Sequence, residues 1–343
     1  MTEPAPEPRV DRRTFLVRAA GTAAVFGGAA ALGWRLGHPG RPTPWNERIF
    51  PPPGEARVAV LPAPSYDRGL EAIVLEGLRA VGADVGGARV LLKPNMVEYD
   101  PGSSINTDPR LVAAAVTALR RMGAASVTVA EGPGHRRDTG YVVTASGLAE
   151  ALHDVDAPFV DLNTGVATPR QTNSSYTGLR ELWIPQAVTD ADVVISMPKM
   201  KTHHWVGVTL SLKNLFGTLP GRVYGWPKNA LHWAGIEGSI LDIAAVVRPS
   251  YAIVDGIVGM EGNGPIDGTS KSVGVVVIGD DPVATDVVSA TIMGMDPSRV
   301  AYIREAGRFL GQADPDRIVQ VGEDPAAFVT PFAPAPGFAS LLR

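Results

Sequence analysis

The chain has 343 residues, with 45% hydrophobic and 19% charged side chains and a formal net charge of −4. That length and apolar content describe a folded body with a sizeable core, not a disordered chain. The acidic balance argues against nucleic acid as a main partner, and the absence of cysteine excludes disulfides, a thiol nucleophile and a cysteine-ligated iron–sulfur cluster.

The first 40 residues read as an export segment. Arg12 and Arg13 precede Phe15 and Leu16, and an uncharged, Ala/Gly-rich run follows over 19–34. This resembles a twin-arginine signal, although Asp11 and Val17 stand where a hydroxyl residue and a lysine are usual. The expected partner is therefore the twin-arginine export machinery, which carries folded proteins across the cytoplasmic membrane. Cleavage and retention as an N-terminal membrane tether both remain open. Residues 41–56 are proline-rich without apolar periodicity and read as a linker.

Beyond the linker, a single domain is expected over 57–325, divisible into two subdomains, with a proline-rich tail over 326–343. Short Val/Ile/Leu runs predict strands over 58–61, 90–92, 127–130, 159–160, 193–197, 252–254 and 273–278. Their lack of polar alternation marks strands covered on both faces. Helices are expected over 109–122, 138–152, 232–247 and 282–293, the first opened by Asp108 and Pro109 and closed by Gly123. The polar segment 165–185 reads as a hairpin or insertion. Alternating strands and helices predict an α/β fold, a mainly parallel sheet with helices on both faces.

In such a sheet, ligands bind beyond the carboxyl ends of the strands. Five predicted strands there run into charged or amide residues: Lys93 and Asn95, Glu131, Lys199 and Lys201, Asp255 and Glu261, and Asp280. From Val193 to Ile236 there is no acidic residue, yet the span holds Lys199, Lys201, Lys213, Arg222, Lys228 and three histidines. Extended chain after Met197 would put Lys199, Lys201 and His203 on one side. A helix starting near Thr209 would carry Lys213 and Asn214. Gathered lysines repel one another unless an anion lies between them, so the span predicts a pocket for a small carboxylate or phosphate.

Lys93, Asn95, Lys199, Lys201, Lys213 and Asn214 are the candidate anion-binding residues. His203, Glu131 and Glu261 are the candidates for proton transfer, with a structural histidine as the alternative for His203. The loop "MEGNGPIDG" could offer backbone N–H groups to an anion. Asp255, Asp280 and Asp286 are carboxylates able to hold a divalent cation. His203 and His204 are adjacent and point apart in a strand, which disfavours a zinc site. No nucleotide P-loop, dinucleotide fingerprint or nucleophile-elbow motif is present.

The segments "KPN" (93–95), "AEGPG" (130–134), "MPKMKTH" (197–203), "GVTLSLKNLFG" (207–217), "MEGNGP" (260–265) and "DPVATDVV" (281–288) together resemble the family known as domain of unknown function 362. The resemblance implies an α/β domain without a settled reaction. It also implies function at Lys93, Asn95, Glu131, Lys199, Lys201, His203, Lys213, Asn214, Glu261 and Asp286. Many relatives carry cysteine-bound iron–sulfur clusters, which this chain cannot. Three functions are consistent with these features: an exported enzyme for a small anion, a non-catalytic binding protein for an anion or cofactor, and an accessory subunit of a redox complex.

Overall fold

Apolar runs rich in β-branched residues, punctuated by glycine and proline, form the strands of one large sheet. The computed structural model describes residues 43–134 and 138–343; Arg12, Arg13 and the apolar run after them lie outside the described residues. In chain order the strands are β1 (Ala56–Pro62), β2 (Arg89–Pro94), β3 (Ser126–Glu131), β4 (Phe159–Asp161), β5 (Ala167–Gln171), β6 (Glu181–Pro185), β7 (Val193–Met197), β8 (Lys199–His203), β9 (Gly207–Thr209), β10 (Tyr251–Asn263), β11 (Asp267–Gly279) and β12 (Ile318–Gly322).

The main sheet runs β12-β1-β11-β10-β7-β2-β3-β4, with β8 against β10 and β9 against β8. The β10-β7-β2-β3-β4 series is parallel throughout, as is β12-β1. Only β11 breaks the pattern in the main series, antiparallel to both β10 and β1. This is the expected α/β fold with a mainly parallel sheet. Within the polar segment 165–185, β5 pairs antiparallel with β6 in a separate two-stranded sheet.

Helices cover both faces, and alternate residues of each strand serve different cores. Val58, Val60, Val254 and Val277 pack with Ile240, Ala244, Val283 and Val287. Their neighbours Ala59, Leu61, Ile253 and Ile278 pack with Leu70, Val74, Leu78, Leu111 and Val112. The helices involved are α1 (Leu70–Ala80), α2 (Pro109–Arg121), α3 (Thr139–Ala145), α4 (Leu148–Asp154), α5 (Ile236–Val247) and α6 (Pro282–Ile292). Asp108 caps α2 by accepting from Arg110 N at 2.9 Å.

Two expected helices are broken by glycine. Gly147 (φ 80°) separates α3 from α4, and Gly235 (φ 104°) separates the turn Asn229–Trp233 from α5.

The proline-rich segments at either end are packed, contrary to the expectation of a linker and a tail. Trp45 stacks on Phe309 with ring centroids 4.7 Å apart, and Phe50 is buried edge-on against the same ring. Residues Pro44–Arg343 accordingly form one unit. Phe332 and Leu341 are buried in the same core as Phe50. Irregular backbone hides such contacts from a search for periodicity: individual aromatic and apolar side chains anchor these segments.

Candidate functional site

The parallel pairing of β2 with β3 brings Lys93 and Glu131 to neighbouring strand ends. Lys93 Nζ lies 2.7 Å from Glu131 Oε2 and is fully buried. It also donates to Asn214 Oδ1 at 3.1 Å and to the Pro94 carbonyl at 3.1 Å. Glu131 accepts in addition from Met96 N at 3.0 Å and Gly132 N at 2.8 Å. Burial pushes Lys93 below its ordinary value while Glu131 holds it up. This satisfied network is the floor of a cavity of about 190 Å³.

The stretch after β7 builds one wall. Every residue of β8, Lys-Met-Lys-Thr-His, is buried. Lys201 Nζ donates to the carbonyls of Ile105 at 2.7 Å and Pro265 at 3.3 Å. The chain then turns through His203, His204 and Trp205 into β9 and the helical turn Ser211–Asn214. Asp286 pins that turn, accepting from Ser211 N at 2.7 Å, Leu212 N at 3.1 Å and the Ser211 hydroxyl. Asn214 locks it to β2 and β7 through Nδ2, which donates to the Lys93 carbonyl and Ser196 Oγ, each at 3.0 Å.

Lys228 completes the cavity, its backbone in the left-handed region (φ 67°) and its Nζ donating to the Gly132 carbonyl at 2.5 Å.

Among the described residues, four lysines (93, 201, 213 and 228) and three histidines (203, 204 and 232) thus line a space whose one carboxylate is Glu131. Lys213 differs from the other lysines. Its Nζ has no hydrogen-bond acceptor among the described residues and sits 4.0 Å from the centroid of the Phe216 ring. Desolvation, then the Lys93 charge, lowers Lys213 to about 7. Lys228 is likewise lowered to about 7, chiefly by burial. Burial and the charge of Lys213 hold His203 well below the ordinary imidazole value, so it is neutral at neutral pH. Asn95 Oδ1 and Thr209 Oγ1, both on the cavity lining, are buried without a hydrogen-bond partner.

The structure gathers Lys93, Asn95, Glu131, Lys201, His203, Lys213 and Asn214 around this cavity. It does not bring Lys199 or Glu261 there. Lys199 faces Asp255 across the β8–β10 pairing, and the register shifts before Lys201 meets Met260. The Asp255 carboxylate captures Lys199 at 2.5 Å, with the Tyr66 hydroxyl 2.9 Å from the same ammonium. Shared strand parity therefore does not place Lys199 beside Lys201's site.

Glu261 accepts from Ala333 N at 2.8 Å and pairs with Lys271 at 3.3 Å. The "MEGNGPIDG" segment is the end of the β10–β11 hairpin, with Glu261 paired opposite Thr269, and its tip residues Pro265 and Ile266 line the cavity.

The three candidate metal carboxylates are apart and engaged. Asp255 holds Lys199, Asp286 pins the helical turn, and Asp280 accepts from Arg57 N at 2.7 Å. Among the described residues no three His, Asp or Glu side chains gather as a metal ion requires. Sequence reasoning passed over Lys228, Thr209 and His232. The acid-free span from Val193 to Ile236 was the signal that contained all three.

The family model described as "Domain of unknown function (DUF362)" matches residues 90–291, a range that includes every residue lining the cavity. A Synechocystis protein described as "Thylakoid-associated protein sll1697" is 32% identical over 255 residues, covering 71% of this chain and 76% of that one. Among solved structures, the lactate racemase apoprotein of Thermoanaerobacterium thermosaccharolyticum aligns at 14% identity with a TM-score of 0.37, over 66% of this chain and 55% of that one. A Thermotoga maritima protein aligns at 13% identity with a TM-score of 0.36, over 55% and 50%. The alignment thus spans about half the length of each of these two solved chains.

Proposed function

The chain belongs to the DUF362 family, a domain of unknown function, and from its cavity we propose that it is an enzyme acting on a small carboxylate or phosphate. The observation that carries this reading is Lys213. Among the described residues its ammonium lacks an acceptor and the cavity's single carboxylate already binds Lys93. An anion entering the cavity supplies the missing counter-charge at a desolvated position, where a charge pair is stronger than in water.

The same residue is suited to move a proton. A group held at about 7 both accepts and returns a proton readily at neutral pH. His203 accepts from Trp205 N at Nδ1, 3.1 Å away, which puts its own proton on Nε2. That N–H is a donor for an oxygen on which negative charge develops. In this reading Lys201 and Lys228 add positive potential, and Lys93, Glu131 and Asn214 hold the floor rigid. Glu131, with both oxygens engaged, is assigned to positioning and not to proton transfer.

A binding protein without chemistry would use the same lysines. Proton exchange separates the two readings. A ligand identified by native mass spectrometry is incubated with the protein in D2O and followed by NMR. Deuterium incorporation or conversion that vanishes in Lys213→Met supports the enzyme. A ligand that binds tightly and remains unlabelled and unconverted leaves a binding protein.

Export is part of the same proposal. The Arg12-Arg13 pair and the apolar run behind it support passage across the cytoplasmic membrane in folded form, with the N-terminus removed or kept as a tether.

A further inference from the structure

The cavity's unmatched hydrogen-bonding atoms narrow the class of anion. His204 Nδ1 lies 2.9 Å from the Gly264 carbonyl, and His232 Nδ1 lies 3.1 Å from the Lys228 carbonyl. A carbonyl only accepts, so each of these Nδ1 atoms carries a proton, and a ring holding that single proton has its lone pair on Nε2. His203 is the reverse, with its proton on Nε2. None of the three Nε2 atoms has a partner among the described residues. The histidine wall therefore offers two acceptors and one donor.

Asn95 sharpens the point. It is 7% exposed, it lines the cavity, and its Oδ1 has no partner. Thr209, 3% exposed on the same lining, has an unpartnered hydroxyl. Buried polar atoms are nearly always satisfied, and two of the four orphans among the described residues, Asn95 Oδ1 and Thr209 Oγ1, belong to residues that line this cavity.

A fully ionised anion such as sulfate or a plain dicarboxylate brings acceptors only. It satisfies Lys213 and the His203 N–H, but brings no donor for Asn95 Oδ1 and leaves the lone pairs of the half-buried His204 and His232 to water. An ammonium group on the ligand would supply donors, but it would enter a space already lined by four lysines and one carboxylate. A neutral donor fits both conditions.

We propose that the ligand is a small hydroxylated anion, whose hydroxyl donates to this acceptor set while its carboxylate or phosphate meets Lys213. The proposal rests on the anion reading above and adds the hydroxyl. The cavity, about 190 Å³ and open to solvent on one side, suits a small ligand.

The test is calorimetric titration with matched pairs, succinate against malate and propyl phosphate against glycerol 1-phosphate. The expected result is that the hydroxylated member of at least one pair binds roughly tenfold tighter, the worth of one hydrogen bond to a buried group. Asn95→Leu closes that gap to within about twofold, and His232→Phe, which keeps a ring against Trp205 and Phe216, narrows it. Equal affinities within both pairs overturn the hydroxyl inference and leave the anion reading standing. No binding by any of the four overturns the anion reading itself. A gap that survives intact in His232→Phe and in folded Asn95→Leu overturns the assigned acceptors.

Discussion

A Cβ placed on Gly217 would lie 1.9 Å from Glu131 Oε1 and 2.5 Å from Lys93 Nζ. The floor of the cavity is closed by backbone at this point because no side chain fits over the buried ion pair. Gly217→Ala must push the pair or its own turn aside, at a cost of about 1–3 kcal/mol from overpacking. Thermal unfolding should show a lowered Tm, and an unchanged Tm would mean the floor yields freely.

The buried pair and a surface pair should respond very differently to loss of one partner. Glu131→Gln leaves Lys93 buried without its counter-charge and should cost about 3–5 kcal/mol. Arg89 and Asp192 approach to 2.8 Å, but their side chains are 59% and 47% exposed. Arg89→Ala should cost far less, because solvent screens an exposed pair. Urea unfolding of both variants checks the ranking, and comparable losses would contradict it.

Asp286 is expected to act through Lys213, not through a metal. Asp286→Ala leaves the N–H groups of Ser211 and Leu212 without their acceptor, at about 1–3 kcal/mol each if they stay buried. The turn carrying Lys213 and Asn214 loosens, and affinity for the anion should fall several-fold. Ligand titration of the folded variant with unchanged affinity would remove Asp286 from the site's support.

Lys213 and Lys228, both at about 7 in the folded chain, should make the ligand-free protein gain stability as pH rises. Unfolded lysines hold their protons to roughly pH 10, so between pH 7 and about 10 the unfolded state binds more protons and stability increases with pH. Below pH 7 the two lysines are charged in both states and contribute no slope. Denaturant midpoints at pH 7, 8 and 9 should rise in the wild type, more steeply than in Lys228→Met. A wild-type slope no steeper than the variant's would contradict the burial of this charge.

The export proposal rests on Arg12 and Arg13. Replacing both with lysine should leave the protein in the cytoplasm, whereas the wild type should fractionate with the periplasm or membrane. Equal distribution of the two would remove the export proposal.

The sheet and much of the cavity were legible in the sequence because strand exits obey a topological rule. Apolar runs ending in Lys93, Glu131 and Lys201 place these groups at one edge wherever the strands are parallel. What failed was long-range pairing. Lys199 and Lys201 share strand parity, but only the β8–β10 register reveals that Asp255 captures one of them. Glu261 looked like a loop residue because glycine and proline surround it, and the pairing of β10 with β11 makes it part of a hairpin arm. Lys228 could not be singled out from the sequence, since its path to the Gly132 carbonyl depends on how its loop crosses β3. Trp45 and Phe50 were hidden for a related reason: two aromatic anchors in irregular chain leave no period.

The central claim is that Lys213 awaits an anion, and the pH dependence of binding tests it most directly. A bound anion raises the pKa of Lys213, so affinity should be flat below about pH 7 and fall above it, roughly tenfold per pH unit for each lysine that must take up a proton. Calorimetric titration of the tightest-binding anion from pH 6 to 9 should show this fall, and Lys213→Met should bind more weakly with a slope shallower by about one. An affinity that is constant across that range, or unchanged in Lys213→Met, would contradict the account.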